Sequence, residues 1–153
     1  MMVNKQKRKG SDWERDVAKE LNKLLNSSEW KRVPGSGALG TILGEPFLRG
    51  DVRGNVDWLR DFLLEAKVGY GGKKQFTIKK EWFDKIAEEA KTKNAIPAVV
   101  CKFANARTGV RHFIALDIEV FADILNQGSG MLRELEKLYD RLGECERELE
   151  RNN

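Results

Sequence analysis

Two charged residues interrupt an apolar run at Phe62-Leu63-Leu64-Glu65-Ala66-Lys67-Val68, and they stand two positions apart. The stretch reads as a short buried strand. Side chains on a strand alternate between faces, so Glu65 and Lys67 project together, with Leu64, Ala66 and Val68 opposite. Residues 96–101 are almost wholly apolar and predict a central strand covered on both faces. Residues 111–116 predict another strand, residues 29–33 a short one, and residues 47–53 one that ends at Gly54-Asn55.

Helical periodicity appears three times. Ser11 with Glu14 forms a capping box that starts a helix running to about residue 26, with Val17, Ala18, Leu21, Leu24 and Leu25 on its apolar stripe. Glu14 shares that stripe, so it either caps the helix or aims a carboxylate at the sheet. Residues 80–93 form a second helix with Trp82, Phe83, Ile86 and Ala90 inward. Asp117 caps a short helix to about residue 125, and Asn126-Gln127-Gly128-Ser129-Gly130 reads as a linker. Beyond it, Leu132, Leu135, Leu138 or Tyr139, Leu142, Cys145 and Leu149 make a heptad-like stripe, either a coiled-coil seam or a face packed on its own domain. The expected organisation is a basic arm over 1–10, one domain over 11–126, and a linker with heptad-like helix over 127–153.

A chain of 153 residues has room for one core. The net charge of +4 is unevenly placed: residues 131–153 sum to −2 and residues 1–130 to +6. Lys5, Lys7, Arg8 and Lys9 have no acid among the first ten residues. A polyanion, most simply nucleic acid, is the expected partner. Cys101 and Cys145 lack metal-ligand spacing and are expected as reduced thiols in a cytoplasmic setting. No apolar run reaches the length of a membrane span, and no signal-peptide pattern opens the chain.

The chemistry gathers around Glu65 and Lys67. A carboxylate able to hold a metal, two residues from a lysine able to orient a water, suits metal-dependent phosphodiester hydrolysis. A second carboxylate would come from Asp51 or Asp57. If Arg60-Asp61 is a two-residue hairpin turn, Asp57 faces away from Glu65 and Asp51 is left; one more loop residue reverses that parity. Pro34-Gly35-Ser36-Gly37-Ala38-Leu39-Gly40 is a glycine-rich loop that can approach a phosphate backbone, but it lacks the Lys-Ser/Thr of a nucleotide-binding loop. Gly69-Tyr70-Gly71-Gly72-Lys73-Lys74 is a basic loop, and residues 75–78 are expected to be extended. His112, the one histidine, reads as structural or exposed rather than catalytic.

Taken in order, Lys9-Gly10-Ser11 with Glu14-Arg15, then Arg32-Val33-Pro34-Gly35-Ser36-Gly37, then Gly50-Asp51-Val52, then Leu64-Glu65-Ala66-Lys67 resemble the PD-(D/E)XK nuclease superfamily. More narrowly they are similar to the archaeal-type Holliday junction resolvases and their phage relatives, over residues 9–116. The resemblance implies a restriction-endonuclease-like α/β fold: a central mixed sheet flanked by helices, here with an added C-terminal helix. It implies Glu14, Asp51 and Glu65 as ligands of Mg²⁺, with Mn²⁺ a substitute, and Lys67 as the group that activates water. It puts Ser36 near the scissile strand and Arg15 near the phosphate. It also implies a homodimer that nicks opposed strands of a four-way DNA junction, leaving 5′-phosphates, in a cellular or phage-infected host cytoplasm, with no membrane and no small-molecule substrate. Lys7, Arg8, Lys9, Arg15, Arg32, Arg49, Arg53, Lys73 and Lys74 are the candidate DNA contacts. Three features depart from the family pattern: Gly50 stands where a proline usually precedes the aspartate, residues 41–49 look inserted, and the tail after residue 130 is extra. Two other functions fit the same residues: a repair or restriction nuclease, and a non-catalytic module that binds branched DNA.

Overall fold

The protein is described by a computed structural model over residues 5–33, 50–69 and 74–151, the side chains of 5–8 excepted. The elements follow as α1 (Lys5–Leu24), β1 (Lys31–Arg32), β2 (Val52–Gly54), β3 (Phe62–Val68), α2 (Lys80–Lys91), β4 (Ile96–Lys102), β5 (His112–Ala115) and α3 (Ile118–Arg151). The five strands form one sheet in the order β1-β2-β3-β4-β5. β3 and β4 run parallel with α2 as the crossover, and the remaining pairs are antiparallel.

The alternation of β3 sorts the core into two layers. Leu64 packs with Val52, Ala98 and Val100 against Trp13, Val17 and Ala18 of α1. Leu63 packs on the other face with Val99 and Cys101 against Ile86 and Ala90 of α2. Both faces of β3 and β4 are therefore covered, as the apolar run 96–101 requires. Phe76 joins the α2 layer edge-on to Trp82, Phe103 and Phe113, although residues 75–78 form no strand. The turn after α1 is fastened by Asn22, whose side chain donates to the Trp30 carbonyl and accepts from the Trp30 N–H, both at 2.9 Å.

Three elements differ from the sequence expectation. α1 starts at Lys5, so Ser11 lies inside the helix and caps nothing; the lysines before it are good helix formers and carry the helix through Gly10. The link between β2 and β3 spans Asn55 to Asp61, not two residues, so the hairpin parity does not apply and Asp57 is exposed in that loop. Residues 126–130 are helical: α3 runs unbroken for 34 residues.

The described residues fall into two compact units. The sheet with α1 and α2 makes the first. The second is α3 with Asp57–Leu59, where Gly128 gives room for the Trp58 ring: a Cβ there would lie 3.3 Å from it. No helix among the described residues is long and apolar enough to cross a membrane.

Two glycines separate strain from propensity. A Cβ at Gly54 would overlap the Trp30 indole, whereas at Gly10 it meets nothing. Gly54→Ala is expected to cost about 1–3 kcal/mol by overpacking. Gly10→Ala is expected to gain about 0.5–1 kcal/mol, because the position is interior to a helix. Urea unfolding of both variants measures the pair.

Candidate active site

Glu65 is the one charged or polar residue among the described residues that is buried, at 3% exposure. A lone carboxylate there would cost several kcal/mol, and the fold answers with two ammonium groups. Lys67 Nζ donates to Glu65 Oε1 at 2.5 Å, and Lys85 Nζ reaches Oε1 at 3.2 Å and Oε2 at 3.0 Å. Lys67 comes from the same strand face, as the i, i+2 spacing dictates. Its Nζ also lies over the Trp82 ring, 5.5 Å from the centroid. Lys85 comes from α2. Burial pulls its ammonium toward the neutral form, but attraction and hydrogen bonding to Glu65, with help from Glu89 and Asp51, outweigh this and hold its pKa above the ordinary value.

Asp51 stands just before β2. Its N–H donates to the Leu64 carbonyl at 2.8 Å, and Leu64 is also the residue that Val52 faces, so the ladder slips by one there. The carboxylate takes over where the ladder stops: Oδ2 accepts the Ala66 N–H at 2.8 Å. Burial and the negative charge of Glu65 push the Asp51 carboxyl up to about 6, with a further push from Glu14; the Ala66 hydrogen bond and Lys67 oppose them. Asp51 thus lies within electrostatic reach of Glu65, whereas Asp57 is exposed in the loop before β3.

Gly50 explains the departure from the usual proline. Its φ is +73°, a Cβ would collide with Leu63, and its N–H donates to Glu89 Oε2 at 2.9 Å. A proline can neither adopt that φ nor donate that bond. Glu89 therefore holds the turn that aims Asp51.

Glu14 is paired with Arg32 at 2.5 Å, which occupies both the expected ligand and an expected DNA contact. Arg15 pairs with Asp12, and Arg53 with Asp61. Lys9 and Lys74 are exposed. Ser36, Arg49 and Lys73, the loop 34–40 and the stretch 41–49 lie outside the described residues, as do the side chains of Lys7 and Arg8. Cys101 is a core thiol beside Lys67 in the sheet, and burial pushes it up to about 11. His112 Nδ1 lies 3.0 Å from Glu20 Oε2, and its ring packs on Trp13.

Lys85 and Glu89 were not anticipated from sequence. Their signal is the spacing from Trp82, i+3 and i+7, which puts them on the edge of the buried stripe of α2.

Among the described residues, no three carboxylate, imidazole or thiol groups already stand together as a metal cage. The donor chemistry nevertheless fits a hard divalent cation. Asp51 and Glu65 are oxygen donors side by side, and the raised Asp51 pKa records negative charge gathered in low dielectric.

A mixed sheet flanked by helices, with an acidic pair and a lysine at its central strand, is the fold of a PD-(D/E)XK nuclease. A family model described as "Phage putative PDDEXK endonuclease" matches residues 5–140, and the chain belongs to that family. It is a nuclease by that membership, and nucleases of this superfamily generally depend on a divalent metal. Comparison with curated proteins and comparison with solved structures each return no match.

The Asp51 shift sets a pH dependence. Its folded pKa of about 6 lies above the ordinary 3.8. The contribution to stability is therefore fully present below about pH 4 and is lost as the pH rises through about 6. Asn at this position mimics the protonated acid. In metal-free protein, Asp51→Asn is expected to gain about 2–3 kcal/mol at neutral pH and nothing below about pH 4, measured by urea unfolding across pH.

Proposed function

We propose that the chain is a Mg²⁺-dependent endonuclease that resolves four-way DNA junctions by paired nicks on opposed strands, working as a homodimer in the host cytoplasm. The observation that carries the catalytic part is the joining of Asp51, Glu65 and Lys67 at one buried point. Asp51 and Glu65 would hold the cation, with Glu14 as third carboxylate once it leaves Arg32. When bound, the cation supplies positive charge against the charge that develops on the phosphate. Lys67 hydrogen-bonds the attacking water and fixes it in line with the scissile bond. Ser36 and Arg15 act beside the scissile strand and its phosphate.

The junction as substrate rests on the order of the four motifs. The excess of basic groups over residues 1–130 supports backbone contacts, which position DNA without reading its sequence. In this reading, residues 1–10 supply basic groups, the sheet unit up to Asp117 carries the nuclease chemistry, and α3, which begins at Ile118, is the helix that dimerises.

The homodimer finds its support in α3. Ile118, Leu125, Leu132 and Tyr139 recur every seven residues, as do Leu135, Leu142 and Leu149, and no residue of α3 is buried. A repeat of seven selects a helix partner of the same period, and a second copy has it.

Two experiments test this reading. Labelled junction, matched duplex, single strand and flap are incubated with Mg²⁺. Paired symmetric nicks in the junction are expected, with the rate reduced about 10²–10⁴-fold by Lys67→Ala while the variant stays folded and binds the junction. Equal cutting of linear duplex would move the function to a general nuclease. For the dimer, light scattering on sized protein is expected to give twice the chain mass, and the double variant Leu135→Glu, Leu142→Glu a single chain mass.

A further inference from the structure

Glu65 has two oxygens and three hydrogen bonds from ammonium groups. Lys67 engages Oε1 alone. Among the described residues, Oε2 is engaged by Lys85 alone, at 3.0 Å. A cation shared between Asp51 and Glu65 is most easily taken by the Glu65 oxygen that Lys67 does not use, and that oxygen is the one Lys85 holds. We propose that Lys85 is a built-in competitor for the metal: it neutralises Glu65 in the metal-free protein and must leave Oε2 when a divalent cation binds. The inference rests on Asp51 and Glu65 being the metal ligands.

The structure provides for the displacement. Lys85 is half exposed, so its ammonium can leave without crossing packed core. Glu89 lies one helical turn on, with Oε1 at 3.9 Å from the Lys85 ammonium. At that distance it attracts without yet bonding, and it is the nearest alternative carboxylate on the same helix. Its other oxygen already holds the Gly50 N–H. When Lys85 moves to Glu89, the cation it gives up at Glu65 is replaced by the metal, and the acid that holds the Asp51 turn gains a counter-ion. Lys85 is thus a positioning residue acting through Glu65, while Lys67 stays in place on Oε1.

Calorimetric titration of the intact chain with Mn²⁺, without DNA, tests this. Lys85→Met keeps the aliphatic stem and removes the charge. It is expected to bind Mn²⁺ about tenfold more tightly than wild type, with unchanged stoichiometry, and to melt at lower temperature only when metal is absent. A residue that merely braces the fold would weaken Mn²⁺ binding on removal. Unchanged or weaker binding in Lys85→Met therefore overturns the proposal. Glu89→Gln keeps an acceptor for Gly50 but removes the landing charge, and is expected to weaken Mn²⁺ binding several-fold; tighter or equal binding counts against the proposal even if Lys85→Met fails to fold. Glu65→Gln separates the two levels. If it abolishes Mn²⁺ binding while Lys85→Met changes nothing, the competitor role fails alone. If it leaves binding intact, the ligand assignment fails with it.

Discussion

A carboxylate buried to 3% exposure is the constraint around which the sheet is arranged. Glu65 cannot be left alone in low dielectric. It draws Lys67 from its own strand and Lys85 from α2, and so joins the sheet to a helix by charge as well as by the apolar layer of Leu63, Ile86 and Ala90. Replacing such a triad with apolar residues would often leave a fold equally stable. What the triad supplies is a buried carboxylate held at a fixed place by two ammonium groups.

The second acid is placed by where a strand stops. β2 is three residues long, and the ladder slips at Asp51. The Ala66 N–H on β3 then takes a side-chain oxygen. A backbone hydrogen-bond requirement thereby fixes a carboxylate next to Glu65, against the burial and the repulsion from Glu65 that raise its pKa. Gly50 and Glu89 hold the turn, which is why this chain has glycine where its superfamily relatives usually have proline.

Much of this was legible in the sequence. The i, i+2 spacing put Glu65 and Lys67 on one face, and the unbroken apolar run marked β4 as a covered strand. The second acid was not decided by parity, because the loop before β3 is longer than a two-residue turn and Asp57 lies within it. Ser11 and Glu14 matched a capping box, yet propensity over Lys5–Lys9 continued the helix past it, and Glu14 was freed to meet Arg32. Glycines in 126–130 suggested a linker, but a helix tolerates isolated glycines at about 1 kcal/mol each, and α3 continues through them. Lys85 and Glu89 escaped notice because charged residues flanking an apolar stripe look solvated until a buried partner on another element is known.

In the proposed function Asp51 and Glu65 form a divalent-metal site served by Lys67. Anomalous diffraction from crystals containing Mn²⁺ tests it most directly. One strong peak is expected about 2.0–2.4 Å from a carboxylate oxygen of both residues, with Lys67 still beside Glu65. A peak elsewhere, or Glu65 still held by both lysines at saturating Mn²⁺, would contradict it.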